Sequence, residues 1–406
     1  MERRLSRNAS PARVAAYNSG VSRKGSPRMR FPAFLLLTLL PLHASAQSSA
    51  PLIPPPPPIA AKAWLLLDFQ SRQVIATRNP DERVEPASLT KLMTAYLVFD
   101  ALRQKHIAPE QVLPVSEKAW KADGSRMFVE PRKPVTADEL IHGMIIQSGN
   151  DATIALAEAV GGSEESFAAL MNKQAARMGL ANSHFVNATG LPDPQHYSTA
   201  RDLALLAANV IRDFPEHFPL YSAREYRYNN ITQYNRNRLL GADPTVDGMK
   251  TGFHAAAGYC LIATALRAPR RLVSVVLGTD SETARAQESQ KLLNYGFQFY
   301  DTVRLYQKGQ QVGVIPMYKG AKGELRAGFR EDFNLSVPRG MADRLKATLV
   351  SLQPLVAPVA EGQRVGTLRV TLDDKPVGEY PVVALESVGV ASMLGRAWDS
   401  LRLMLR

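Results

Sequence analysis

Pro86-Ala87-Ser88-Leu89-Thr90-Lys91-Leu92-Met93-Thr94 opens a run with apolar residues at 89, 92, 93, 96, 97, 99 and 102. Spacing of three and four predicts a helix from Ser88 to about Lys105 with one broad buried face. On such a helix Lys91 stands one turn from Ser88 on the same side. A serine hydroxyl is a weak nucleophile at neutral pH and needs a base within hydrogen-bond reach. Lysine serves only when its amine is neutral, which burial and a neighbouring cation favour. A helix N-terminus under Ser88 adds a positive dipole end where negative charge develops.

Working outward, two further elements follow in order: Ser148-Gly149-Asn150 and Lys250-Thr251-Gly252. At ordinary residue usage, S-x-x-K and S-x-N each occur about once by chance in a chain this long, and K-T-G is several times rarer. Singly, each reads as a surface pair, a turn or a solvated loop. In this order and together they describe one acyl-transfer site. Ser148 is placed to relay a proton between Lys91 and the leaving amine, and Asn150 has a donor and an acceptor with which to hold the lysine or a substrate amide. Lys250 is the cation expected to depress the Lys91 pKa. With Thr251 it suits a substrate carboxylate, and Gly252 lets a strand approach closely.

The surrounding pattern predicts an α+β fold. Trp64 to Leu67 and Val74 to Ala76 read as a hairpin. Thr136-Ala137-Asp138-Glu139 is a capping box that should launch a helix running into Ser148. Asp151 to Val160, Ser163 to Met178, Thr199 to Ile211 and Ala284 to Phe299 continue the helical series, with Gly161 and Gly179 as stops. Tyr259 to Leu266 and Leu272 to Leu277 form a second hairpin around Arg267-Ala268-Pro269-Arg270. Beyond 302 the texture shifts to short β-branched segments at 311–314, 333–337, 346–350 and 364–372, a small β domain in which no chemistry is identifiable. The last segment sets apolar residues at 390, 393, 394, 397, 398, 401, 404 and 405, with Arg396, Asp399, Arg402 and Arg406 on other faces. This amphipathic helix fits a membrane interface, and equally a packed face of the β domain.

The formal charge of +12 would point to nucleic acid if it were spread over the fold. Residues 1–46, however, hold eight Arg or Lys and one acid, which leaves about +5 for the rest, so nucleic acid is not an expected partner. Arg28-Met29-Arg30, the apolar run Phe31 to Leu42 and the small-x-small Ala44-Ser45-Ala46 read as a secretory signal cut after Ala46, with Met29 an alternative start. About 12 apolar residues are few for a membrane span. Five consecutive prolines within Pro51–Pro58 make an extended spacer. The single cysteine, Cys260, lies in a strand-like apolar run and reads as core. The seven histidines lack zinc-peptidase spacing, and no cofactor or metal is expected.

With Val246-Asp247-Gly248-Met249 before Lys250, Asp151-Ala152 after Asn150, Asn235-Arg236-Asn237 and Lys291 to Phe297, the chain resembles the low-molecular-mass penicillin-binding D-alanyl-D-alanine carboxypeptidases over residues 60–300. The resemblance implies a penicillin-binding/β-lactamase-like transpeptidase fold, then a small all-β domain and a C-terminal amphipathic helix. Segment by segment this gives a signal peptide with a basic extension (1–46), a linker (47–60), a catalytic domain (61–301), a β-rich domain (302–387) and a membrane-surface helix (388–406). It implies removal of the terminal D-alanine from peptidoglycan stem peptides through an acyl-enzyme on Ser88, limiting cross-linking. It further implies an oxyanion hole from the amides of Ser88 and Phe253, carboxylate recognition by Arg236 with Lys250 and Thr251, and Arg285 as a weaker second candidate. β-Lactams would acylate the same serine. The location implied is periplasmic, on the outer face of the cytoplasmic membrane. Phe253-His254 places a ring and an imidazole at the mouth of the site. The same triplet also supports a cross-link endopeptidase or a β-lactamase, and a non-catalytic wall-binding protein would keep the fold without turnover. Against a class A lactamase stand the long tail after residue 300 and Ser-Gly-Asn in place of Ser-Asp-Asn.

Overall fold

The computed structural model describes residues 53–404. The proposed signal segment, the first two residues of the proline spacer, Leu405 and Arg406 lie outside them. Strand β1 (Ala63–Asp68) is buried along its whole length and pairs antiparallel with β2 (Val74–Arg78). Strict alternation sorts its side chains onto two faces. Ala63, Leu65 and Leu67 join one core, and Trp64 and Leu66 join another.

A 3-10 turn, Ala87–Thr90, leads into α1 (Lys91–Arg103). The predicted helix therefore begins with a tighter turn, and Ser88 sits in that turn rather than in the helix proper. After the short α2 (Glu117–Trp120) comes α3 (Ala137–Ile145), entered through the expected Thr136–Glu139 capping box. It stops three residues short of Ser148, because Ser148 takes a left-handed φ of 67° that no helix continues. Helices α4 (Asn150–Gly161), α5 (Glu164–Met178) and α6 (Ala200–Asp213) follow closely the spans expected, although α4 runs through Gly161 and is capped by Gly162. The hairpin of β3 (Glu225–Tyr228) and β4 (Ile231–Tyr234), unanticipated from sequence, precedes the single turn α7 (Leu239–Ala242).

Strands β5 (Val246–His254), β6 (Gly258–Arg267) and β7 (Arg270–Thr279) complete a five-stranded antiparallel sheet ordered β2-β1-β7-β6-β5. Helices α1 and α3–α6 supply most of the core on one face. Helix α8 (Glu282–Phe299) covers the other with Leu292, Leu293 and Tyr295. Burying such side chains contributes roughly 1.5–3 kcal/mol each. The alternating β6 residues explain Cys260, which is fully buried in the helical-side core as expected.

The chain passes directly from α8 into β8 (Tyr300–Tyr306). The strands that follow are β9 (Gln311–Tyr318), β10 (Glu324–Gly328), β11 (Phe333–Pro338), β12 (Leu345–Ser351), β13 (Leu355–Val356), β14 (Arg364–Leu372) and β15 (Lys375–Ala384). They make a sheet ordered β12-β14-β15-β10-β9-β13 and a β8–β11 pair around their own apolar core. Helix α9 (Met393–Met404) ends the described chain. At the junction Arg270 donates to Asp68 Oδ2 at 2.8 Å, to Thr302 Oγ1 at 2.8 Å and to the carbonyl of Gly296 at 2.8 Å, and also to the carbonyl of Tyr300. Asp68, fully buried, also accepts from Thr302. Ser336 and Tyr380 reach back to Ser71 and Gln73.

Candidate active site

The 3-10 turn at Ala87–Thr90 is pressed between two segments that bring chemistry to it. On one side lies the edge strand β5. A Cβ built on Gly252 would stand 2.9 Å from the Pro86 carbonyl oxygen and 3.3 Å from the Ala87 Cβ. Glycine at 252 is what allows the strand to lie this close. On the other side Gly190, at φ +83°, abuts the Ala87 carbonyl with no room for any side chain.

Lys91 is buried beneath the turn, and its Nζ stands 3.0 Å from Ser88 Oγ, 2.7 Å from Asn150 Oδ1 and 2.8 Å from the carbonyl oxygen of Thr189. All three neighbours are neutral. Burial, reinforced by the nearby Arg236 cation, brings the Lys91 amine down to about 7, against weaker upward pulls from Asp151 and Glu164. Lys250, also buried, donates to Ser148 Oγ at 2.9 Å. Its pKa is held well below the ordinary value by burial and by the cations Lys91, Arg236 and Arg285. Lys91 thus depresses Lys250, whereas the cation that lowers Lys91 is Arg236 rather than the Lys250 expected from sequence. The Ser148 hydroxyl is held by Lys250 and makes no hydrogen bond to Lys91 or Ser88 among the described contacts.

Several contributors escaped the sequence reading. Thr189 supplies a carbonyl to Lys91 from a tight turn in which Asn187 Oδ1 accepts from the amides of Thr189 and Gly190. Glu164 fixes this turn by accepting from the Ala188 amide. His196 accepts from the Val186 amide at Nδ1, so its Nε2 carries the proton and donates to Thr90 Oγ1 at 2.8 Å. Burial pushes that imidazole down to about 4, which keeps it neutral. Asp151, fully buried, accepts from the amides of Met127, Phe128 and Val129. Asn150 reaches the same loop through Asp123 and Ser125. The local signals present in the sequence for two of these contributors are the turn chemistry of Asn187-Ala188-Thr189-Gly190 and the acid following Asn150, while nothing local marks His196 or Glu164.

The turn opens into a cleft of about 680 Å³ lined by Ser88, Ser148, Asn150, Thr251, Gly252, Phe253 and Arg236. Arg236 is exposed there and has no carboxylate partner among the described residues. Arg285 also borders the cleft but is buried, donating to the carbonyls of Gly252 at 3.3 Å and Arg236 at 3.4 Å. Phe253 stacks on Tyr259 with ring centroids 4.2 Å apart, and His254 Nε2 lies 3.0 Å from Glu85. Every candidate residue from the three motifs thus converges on one cavity or its floor. The set can hold a serine against a neutralisable amine with cations ready for an anionic substrate end.

A family model described as D-alanyl-D-alanine carboxypeptidase matches residues 50–281, and one for the C-terminal domain of penicillin-binding protein 5 matches residues 300–390. D-alanyl-D-alanine carboxypeptidase DacC of Escherichia coli is 42% identical, covering 84% of this chain and 88% of its own. The crystal structure of penicillin-binding protein 5 from Haemophilus influenzae superposes with a TM-score of 0.79 at 38% identity, covering 82% of this chain and 99% of that one. Penicillin-binding protein D2 of Listeria monocytogenes, solved in an ampicillin-bound form, matches with a TM-score of 0.56 at 30% identity, over 60% of this chain and all of that one. With two family models covering the described sheets in order and a relative aligned over most of both chains, the protein belongs to the D-alanyl-D-alanine carboxypeptidase family and is a serine-type carboxypeptidase of the penicillin-binding group.

Proposed function

We propose that Ser88 is the nucleophile and Lys91 its general base in the removal of the terminal D-alanine from peptidoglycan stem peptides. The observation that carries this reading is a buried lysine with a pKa near 7 at 3.0 Å from a serine hydroxyl. When neutral, the amine keeps two N–H bonds, to Asn150 and Thr189, and offers its lone pair to the Ser88 proton. The oxygen attacks the penultimate D-alanine carbonyl, and the oxyanion is met by the amides of Ser88 and Phe253. Collapse breaks the C–N bond, and the departing amine takes a proton from Lys91 through the Ser148 hydroxyl, which Lys250 orients. Water then cleaves the ester and frees Ser88. Arg236, Thr251 and Lys250 receive the terminal carboxylate, while Arg285 holds the backbone that carries them. A β-lactam presents the same acyl and carboxylate pattern, and the ampicillin-bound form of the Listeria relative supports acylation of Ser88 by such drugs.

The chain is further assigned to the exported compartment, its signal cut after Ala46, with α9 lying on the outer face of the cytoplasmic membrane. Met393, Leu394, Trp398 and Met404 are more than half exposed on α9, which supports an interfacial role over a packed one. No helix among the described residues is long and apolar enough to cross a membrane. Mass spectrometry of a muropeptide ending in D-alanyl-D-alanine, with the parent chain and Ser88→Ala, tests the chemistry. Loss of one alanine with the parent alone supports it. An intact pentapeptide beside cleaved cross-linked dimers would replace it with an endopeptidase, and no product from either with a binding role. Sedimentation with anionic vesicles, lost on truncation after residue 390, tests the membrane assignment.

A further inference from the structure

Beside the cleft lies a second cavity of about 570 Å³, walled by Trp120, Phe128, Arg126 and Arg132 with Glu117 and Glu130 at its edges. The two cavities adjoin along the chain, because Ser125 lines the first and Arg126 the second. Phe128 is 44% exposed and held at φ 69°, a conformation that costs a bulky side chain of the order of 1–3 kcal/mol and persists only when imposed by its surroundings. What imposes it is the buried Asp151, which grips three successive amides of this loop, while Asn150 grips the carbonyls of Asp123 and Ser125. Asn150, which ends the second motif, and Asp151 after it therefore also present an aromatic ring to solvent on the second cavity. Trp120, 39% exposed, supplies the facing wall.

The charge of this ledge is also set. Glu117 pairs with Lys121, and Glu130 with Lys133 at 2.7 Å, so both acids are neutralised from outside the cavity. Arg132 has no carboxylate partner among the described residues, whereas Arg126, 5.7 Å from the Phe128 ring centre, is held by the Trp120 carbonyl and lies 3.9 Å from the buried Asp151 carboxylate, so Arg132 carries the excess charge. The cavity is thus aromatic on its walls and cationic in excess, complementary to an anionic, partly apolar chain.

We propose that this ledge is a subsite for the stem peptide upstream of the terminal D-alanyl-D-alanine, reading its free side carboxylate through Arg132 and Arg126 and packing its backbone on Trp120 and Phe128. The proposal rests on the carboxypeptidase reading of the adjoining cleft. It makes the enzyme selective for acidic stems over amidated ones, a specificity held apart from the bond that is cut.

The test compares kcat/KM for D-alanine release from two pentapeptides that differ only in a γ-linked D-glutamate with a free α-carboxylate against its amide. Parent, Arg132→Gln, Arg132→Lys and Trp120→Ala chains are used, with benzylpenicillin acylation as a separate measure of the Ser88 cleft. The expected result is a preference of about fivefold for the free acid in the parent, shrinking as salt is raised. It should be lost in Arg132→Gln and partly restored in Arg132→Lys. Equal rates in the parent, or an undiminished preference in Arg132→Gln, would overturn the subsite. So would a gain that appears only when a muramyl sugar is added to both peptides, ignores salt and vanishes in Trp120→Ala, since that marks a sugar-ring site. No D-alanine from either peptide would overturn the carboxypeptidase reading, and the ledge assignment with it.

Discussion

Two buried cationic clusters grow from the same five-stranded sheet, and they treat charge in opposite ways. At the junction with the β strands, Arg270 meets the buried Asp68 carboxylate, a hydroxyl and two carbonyls. In the cleft, the partners of Lys91 and Lys250 among the described residues are hydroxyls, an amide oxygen and carbonyls. The acids that lie near Lys91 are committed elsewhere, Asp151 to loop amides and Glu164 to Ala188 and Lys118. A paired buried cation keeps its proton and ties elements together. A buried cation denied its counter-ion sheds the proton, and only a lysine can do so at accessible pH. Basicity at this site is therefore made by withholding a carboxylate.

The contrast breaks most decisively at Lys91. In Lys91→Met, release of D-alanine should fall by about 10³-fold or more, read by single-turnover assay. Stability should respond differently. The folded-state pKa of Lys91 lies below its unfolded value, so the parent gains stability relative to Lys91→Met as pH rises from about 7 toward 10. The expected slope is of the order of 1 kcal/mol per pH unit in urea melts, and a flat difference would show that Lys91 stays charged.

Arg270→Met should do the reverse. It leaves Asp68 buried without its cation, and a loss of about 3–5 kcal/mol is expected, with kcat per folded molecule retained. Adding Asp68→Asn to that variant should recover part of the loss. An unstable Lys91→Met beside a stable Arg270→Met would invert the comparison.

Asp151→Asn sharpens it, since the carboxylate serves amides rather than a lysine. Losing charged acceptance at four amide N–H groups should cost about 1–3 kcal/mol and reduce turnover by disturbing Asn150, with the pH profile moved down by less than about one unit. A profile shifted by more than about one unit would instead make Asp151 an electrostatic partner of Lys91. The smallest expected effect is in the parent itself. Its rate of acylation by a β-lactam should rise about tenfold from pH 5 to 6, as the neutral amine fraction grows, and level off above about 7.

Much of this was legible from local pattern. The capping box at Thr136, the hairpin turn at 267–270 and the three-residue spacing of Ser88 and Lys91 each depend on neighbours close in sequence. The places where the reading stopped share one property. Helix α3 ends before Ser148 because the chain must turn Ser148 toward Lys250, 102 residues on. Thr189 meets Lys91 across 98 residues, and no spacing rule connects a carbonyl in one turn to a lysine in a distant helix. In the β-strand region β10 and β15 went unread, since their pairing, not their alternation, defines them as strands.

By itself, then, the amino-acid sequence determined the catalytic residue types, their order, the α+β architecture and the position of Lys91 one turn from Ser88, because these are properties of short segments with fixed backbone geometry. Only the tertiary structure decided that Lys91 is neutralisable, that Ser148 belongs to Lys250, that Arg236 is exposed without a carboxylate partner among the described residues while Arg285 is committed, and that Asp151 lifts Phe128 beside the cleft. Those outcomes depend on burial and on which counter-charges arrive, and both are set by contacts between segments 23 to 102 residues apart.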